Sequence, residues 1–275
     1  MLRRNTEKVH KYSEDLFNHY KIYDLQGLLR EDDTYQCGIE SYSVENKENI
    51  DFSFLNTKRE ELARFRFCQL LSIPYYIIVT INSTKSFYLY EIKLEGPLKN
   101  ELQESLLKKM DKDELVAWWR SKQSFTQIKP MYDAEKRLET SLLDKILFAN
   151  NLAWGINIDG FYLDKNGQEI KFLVEKRVIT YSDRYSVKNY DPNRFFHGTQ
   201  NRFGDFSSWD ILFKISKALN CNLLLMTFDT NEEVNKMGIA KVVEVCKSSG
   251  LIYEREIKIF EGTSNEQKKY IKKLL

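Results

Sequence analysis

Cysteine is scarce and scattered in this 275-residue chain: Cys37, Cys68, Cys221 and Cys246 form no C-x-x-C pair. No histidine partners stand at zinc spacing near them, which argues against a structural zinc site and equally against a disulfide framework. Cys68 and Cys221 sit beside apolar residues, where reduced thiols fill core space. A dominant charge is also missing. The 42 lysines and arginines face 40 acids, leaving a formal net charge of +2. Any affinity for nucleic acid must therefore come from a local basic patch rather than a global field. Long hydrophobic runs are absent as well. The longest, PYYIIVTI, is strand-sized, and the polar start MLRRNTEKVHKYSEDLFNHY lacks the apolar stretch of a secretory signal. The expectation is a cytoplasmic protein with no membrane partner. With 42% hydrophobic and 13% aromatic residues, the chain can bury the core of one large domain or two modest ones.

Periodicity predicts an α/β chain in two parts. The first opens with a helix from about Thr6 to Tyr20, with Val9, Leu16 and Phe17 on one stripe. TYQCGIESYSV and IDFSFLNT then read as antiparallel strands, KREELARFRFCQLL as a helix, and PYYIIVTIN and SFYLYEIKL as two further strands. Gly96-Pro97 breaks the pattern, and a charged helix follows from Leu98 to Lys122. A boundary near residue 128 separates an N-terminal α/β module, 1–128, from a C-terminal one, 129–275. The second part has a helix from Ala134 to Asn150, a hairpin within 155–181, a polar loop, and a helix from Ser208 to Leu219 opened by a capping box at Ser207 and Asp210. The strand NLLLMTF, the partly helical EEVNKMGIAKVVEVCKSSG and the strand LIYEREIKIF complete it. Both parts share the order helix, hairpin, helix, strand. That order raises an internal duplication, although no residue-level identity accompanies it.

The hairpin, GINIDGFYLDKNGQEIKFLVEKRVITY, carries the chemistry. A type I turn at Lys165-Asn166 with Gly167 left-handed makes a three-residue loop, pairs Asp164 with Gln168 and sets Asp159 opposite Leu173. Alternation then gathers Asn157, Asp159, Glu169, Lys171, Glu175 and Arg177 on one face. Lys171 and Glu175 become diagonal neighbours of Asp159, about 7–8 Å away. A two-residue loop would instead flip one strand and part Asp159 from the glutamates. The polar face has two readings. It is the solvated side of a half-buried hairpin, or it is a pair of carboxylates that holds Mg²⁺ or Mn²⁺ beside a cation that stabilises charge on a phosphate.

On these residues the chain resembles the PD-(D/E)XK nuclease superfamily. Asp159 in NIDG matches the first acid, and FLVEKR matches the apolar lead-in, with Glu175 as second acid and Arg177 where the family has lysine. The resemblance covers roughly 132–230. It implies a restriction-endonuclease-like mixed sheet flanked by helices in the C-terminal half, with a second α/β module in the N-terminal half. It further implies a Mg²⁺-dependent endonuclease of restriction, phage defence or mobile-element biology, acting on DNA ahead of RNA. Asp159 and Glu175 would bind the metal, and Arg177 or Lys171 would contact the scissile phosphate. Arginine is a poor proton acceptor, so the departure at 177 keeps open an inactive nuclease-fold protein that binds nucleic acid or serves as an assembly subunit. A second fit, Glu169-x-Lys171, keeps the lysine and holds Glu169 in reserve as a ligand. Many members add an acid from the preceding helix, for which Glu135 and Glu139 are candidates. In the first part, Glu40 and Asp51 echo the acid pair, with Ser53 in the lysine's place.

The connection 182–206 interleaves Arg184, Lys188, Arg194, His197 and Arg202 with Tyr185, Tyr190, Phe195 and Phe196. Basic residues among aromatics suit a phosphate backbone with stacked bases. The alternative is a loop pinned by its own aromatics. A homodimer would suit an enzyme that cuts two strands.

Overall fold

The structure is a computed structural model and describes residues 3–4, 10–95, 101–123, 141–179, 186–197, 204–229, 236–261 and 265–274. The chain is mixed α/β and forms two compact units, each discontinuous in sequence: Met1–Glu7 with Leu25–Asn157, and Lys8–Asp24 with Ile158–Leu275. The boundary expected near residue 128 falls outside the described residues. No helix among them is long and apolar enough to cross a membrane.

In the first unit, β1 (Arg3–Arg4) flanks β3 (Thr34–Val44), which forms a hairpin with β2 (Ile22–Glu31). The tight turn Asp32-Asp33 takes a left-handed residue, and Asp32 adopts φ 50° there. A short helix α2 (Phe54–Thr57) and α3 (Arg59–Leu70) lead to β4 (Tyr75–Ile81), parallel to β3. Strands β5 (Ser86–Leu94) and β6 (Leu102–Met110) each run antiparallel to the one before. Helices α4 (Lys112–Lys122) and α5 (Leu142–Ala149) bury Leu115, Trp119, Leu143 and Leu147 against Leu29, Ile39, Ile78 and Phe87. The Trp119 indole N–H donates to the Ala153 carbonyl at 2.9 Å, so this buried ring leaves no unmet donor.

Three local expectations change here. IDFSFLNT is not a strand: Asp51 is exposed, its Oδ1 accepts the Ser53 N–H at 2.8 Å, and Phe54 starts α2. The true partner of TYQCGIESYSV is IYDLQGLLRE, which buries Leu25, Leu28 and Leu29 on both faces and so shows no alternation. The helix expected from Leu98 starts only after Asp111, because Leu102–Met110 is strand β6. All of that strand's interior positions are exposed, so no burial pattern separates strand from helix.

In the second unit, β7 (Ile156–Leu163) and β8 (Ile170–Ile179) form the hairpin and α6 (Phe206–Ala218) follows. Strand β9 (Asn222–Asp229) lies parallel to β8, and β10 (Lys236–Cys246) lies antiparallel to β9. The stretch expected as partly helical is thus strand β10, which also pairs with β11 (Gly250–Tyr253) and β12 (Lys258–Glu261). Helix α1 (Lys11–Tyr20) lays Tyr12, Leu16 and Phe17 on Phe172, Val174, Leu224 and Phe228, and α7 (Asn265–Leu274) adds Ile271. On the other side α6 buries Trp209, Leu212 and Ile215. Both faces of the hairpin are therefore covered.

Helix α1 comes this close only because position 160 has no side chain. A Cβ at Gly160 would lie 2.8 Å from Ile22 Cγ2 and 3.1 Å from both Phe17 and Val174. Gly160→Ala is expected to cost about 1–3 kcal/mol of stability. A lower urea midpoint at unchanged slope would register that loss; an unchanged midpoint would contradict the close approach.

Candidate active site

The hairpin turn positions the acids. Asp164 Oδ1 accepts the N–H groups of Gln168 and Glu169 at 2.7 and 2.9 Å, and Gly167 takes φ 69°. The Asp164 N–H bonds to the Glu169 carbonyl at 2.9 Å, so the loop is one residue longer than the three expected. A bulge follows: Tyr162 pairs with Phe172 but Leu163 with Ile170, and Lys171 is the extra residue. Each shift alone would reverse the facing, and the two together restore it. Gly160 pairs with Val174, so one step along the same register Asp159 stands across from Glu175. Of the two expected diagonal neighbours, Glu175 is a direct one and Lys171 is not a neighbour at all.

The pair is tied in from several sides. The Lys176 backbone N–H donates to Asp159 Oδ2 at 2.8 Å. Arg177 Nη2 lies 2.8 Å from Glu175 Oε1 and 3.2 Å from Asp205 Oδ2, just before α6. Its guanidinium carbon sits 5.9 Å from the centre of the Trp209 ring. The buried Nε of Arg177 has no hydrogen-bond partner among the described residues. Side-chain exposure is 12% for Glu175 against 27% for Arg177 and 23% for Asp205, so an arriving molecule meets Arg177 and Asp205 first.

Burial, reinforced by the charge of Asp159, pushes the Glu175 carboxyl up to about 8, with Arg177 opposing. Burial raises Asp159 too, against the Lys176 N–H. Burial pulls Arg177 down, but Glu175 and then Asp205 outweigh it, and the guanidinium holds its proton more firmly than usual. The group is a set of crowded acids around the Arg177 guanidinium.

The other candidate residues are placed elsewhere. Glu169 and Lys171 pair with each other at the exposed hairpin end and do not join Asp159 and Glu175. Lys188 lies 3.8 Å from Glu261, and Arg194 and His197 are exposed, the His197 ring edge-on to Phe196. Their segment is anchored: Asp229 Oδ1 accepts the Val187 N–H at 2.8 Å, Asn193 Oδ1 accepts that of Leu251 at 2.8 Å, and Phe196 is buried. Arg184, Arg202, Glu135 and Glu139 lie outside the described residues. Comparison with family models, curated proteins and solved structures returns no match. Asp205 is the residue that sequence reasoning misses. It stands 28 residues beyond Arg177 in the polar stretch RFGDF, and no local periodicity links the two.

Proposed function

We propose that the chain is a Mg²⁺- or Mn²⁺-dependent phosphodiester hydrolase of the PD-(D/E)XK kind, acting on DNA. The observation that carries this reading is buried Glu175 across one hairpin from half-buried Asp159, with Arg177 two residues beyond. Two carboxylates, each raised in proton affinity by burial and Glu175 further by the charge of Asp159, hold surplus negative charge, which a divalent cation relieves. Among the described residues no three acids, histidines or cysteines form a ready ligand group. That suits Mg²⁺, which takes one or two carboxylates and fills its remaining positions with water and phosphate oxygens. When bound, the ion would supply Lewis acidity and a more acidic water.

Asp159, oriented by the Lys176 N–H, and Glu175 would hold that ion. Arg177 would turn its partly exposed guanidinium from Asp205 to a phosphate oxygen and stabilise developing charge there. It keeps its proton and takes none from water. Lys188, Arg194 and His197, with Arg184 and Arg202, would contact the strand, and a homodimer would reach both strands of a duplex. One observation favours the inactive, nucleic-acid-binding alternative: Arg177 already bridges Glu175 and Asp205 and so partly neutralises the pair.

Plasmid, single-stranded DNA and RNA, each with Mg²⁺, Mn²⁺ or EDTA, test the reading in wild type and Asp159→Asn. Metal-dependent cutting of DNA is expected, reduced at least about 100-fold in the variant, since even the outer partners of metal ligands are worth 10–100-fold. Cutting that survives Asp159→Asn would reject this site. Binding without cutting by either protein would favour the inactive alternative.

A further inference from the structure

The two units resemble each other in pairing far more than in sequence. In each, a hairpin leads through a helix to a strand parallel to the hairpin's second strand, then to an antiparallel one: β2, β3, α3, β4, β5 and β7, β8, α6, β9, β10. Both hairpins carry a bulge at the same step. Leu29 pairs with Cys37 and Arg30 with Tyr35, as Tyr162 pairs with Phe172 and Leu163 with Ile170. Aligning the bulges puts Gln26 at Asp159, Gly27 at Gly160, Glu40 at Glu175 and Tyr42 at Arg177. A hydrogen bond then repeats. The Ser41 N–H donates to Gln26 Oε1 at 2.8 Å, as the Lys176 N–H does to Asp159 Oδ2 at 2.8 Å. Both glycines are closely approached, a Cβ meeting the Trp154 carbonyl oxygen at 2.6 Å in one case and Ile22 at 2.8 Å in the other.

The same alignment carries into the helices. Gly38 pairs with Tyr75, and Leu173 with Leu223. Counting back from Tyr75 and Leu223, the buried Glu61, Ala63, Arg64, Phe67 and Cys68 of α3 fall one for one on the buried Trp209, Ile211, Leu212, Ile215 and Ser216 of α6. The helix before each hairpin is exchanged: α1 completes the second unit's core and α5 the first's.

We infer that the chain is an internal duplication in which Gln26 and Glu40 are the first unit's counterpart of Asp159 and Glu175, with the Arg64 guanidinium standing in for a cation. Arg64 Nε lies 3.5 Å from Glu40 Oε1, and its Nη1 bonds to Glu61. Glu61 in turn accepts from the Tyr42 and Tyr75 hydroxyls at 2.7 and 2.8 Å. Glu40, Glu61 and Arg64 are 0%, 1% and 2% exposed, and the Arg64 guanidinium already fills the place beside Glu40 that an ion would take. An amide for one carboxylate and a built-in guanidinium convert a pair that calls for a divalent cation into a closed structural network. The cation clause rests on the proposed function; the duplication does not.

The full chain is tested by Mn²⁺ titration, free ion being read by electron paramagnetic resonance, beside thermal unfolding. Wild type is expected to take up one Mn²⁺ per chain and Asp159→Asn none. Asp159→Asn combined with Gln26→Asp and Arg64→Leu, which places in the first unit the residue types at the matching positions of the second, is expected to regain one. A folded triple variant without uptake would overturn the inference, as would a wild-type ion that survives Asp159→Asn but is lost in Gln26→Ala. Uptake by the triple variant alone, with none by wild type, would sink the proposed function and keep the duplication. A second pair needs no metal. Gln26→Asp can still accept the Ser41 N–H and should keep the wild-type Tm within about 2 °C, whereas Gln26→Leu leaves that donor unmet and should lose about 2–4 °C or more. Equal losses in the two would overturn the counterpart assignment.

Discussion

Glu175→Gln is expected to raise the stability of the metal-free protein at alkaline pH and, in the same molecule, to abolish metal-dependent cleavage. The folded carboxyl is pushed up to about 8 by burial and by Asp159, whereas an unfolded one titrates near its ordinary value of 4.5. Below about pH 4.5 both states carry the proton and the residue is neutral in the balance. As pH rises toward 8 the unfolded chain ionises first and the folded state loses ground, with the full cost present above about 8. Glutamine has the shape of the protonated acid, and its Oε1 can still accept from Arg177. The variant should therefore gain about 2 °C or more in Tm over wild type at pH 9 and nothing at pH 4. If the proposed function holds and Glu175 binds the metal, the variant should also lose at least about 100-fold in cleavage, since the outer partners of metal ligands alone are worth 10–100-fold. Scanning calorimetry at both pH values settles the first half. A lower Tm at pH 9 would mean that Arg177 stabilises the ionised Glu175 by more than burial costs it, and would overturn the raised carboxyl.

Arg177→Met should act in the opposite direction on stability. It leaves Asp159, Glu175 and Asp205 without their shared cation, and breaking a buried pair costs about 3–5 kcal/mol. Because 27% of the Arg177 side chain reaches solvent, that cost is discounted to about 2–3 kcal/mol. The sign with pH follows from Glu175. At pH 5 it carries its proton and the loss of Arg177 is tolerated more easily; at pH 9 it is ionised in wild type and depends on the guanidinium. Urea midpoints should diverge between wild type and variant as pH rises from 5 to 9. An equal gap at both values would show that Arg177 contributes packing on Trp209 rather than charge. Arg177→Lys keeps one charge but not the planar fork that reaches both Glu175 and Asp205, and it should fall between the two. Cleavage should drop about 100- to 1,000-fold in Arg177→Met through lost charge stabilisation, and less in the lysine variant.

The sequence exposes the parts of this arrangement that obey short-range rules. Gly167 in the turn and period-two alternation put Asp159, Glu175 and Arg177 on one face before any packing is known. The apolar run at Ile77–Val79 marks a central strand, and the periodicity of Trp209, Leu212 and Ile215 marks α6 as buried. What failed were segments without a burial pattern of their own. IYDLQGLLRE is apolar on both faces, and LQESLLKKM is exposed along its length, so neither displays the contrast from which strands are read.

By itself, then, the sequence determined which side chains alternate along each strand, because alternation is a property of the backbone alone. Across the two strands the expected facing held because the longer loop and the bulge cancel. Tertiary structure decided how that face is used. A loop one residue longer and a bulge at Lys171, both invisible to alternation, together moved Asp159 from opposite Leu173 to opposite Glu175. Helix α6 covered the face, turning what reads as a solvated surface into a pair of buried Glu175 and half-buried Asp159, and delivered Asp205 to Arg177. Burial and long-range ion pairs depend on what is packed above a strand, and a strand's own residues carry no record of that neighbour.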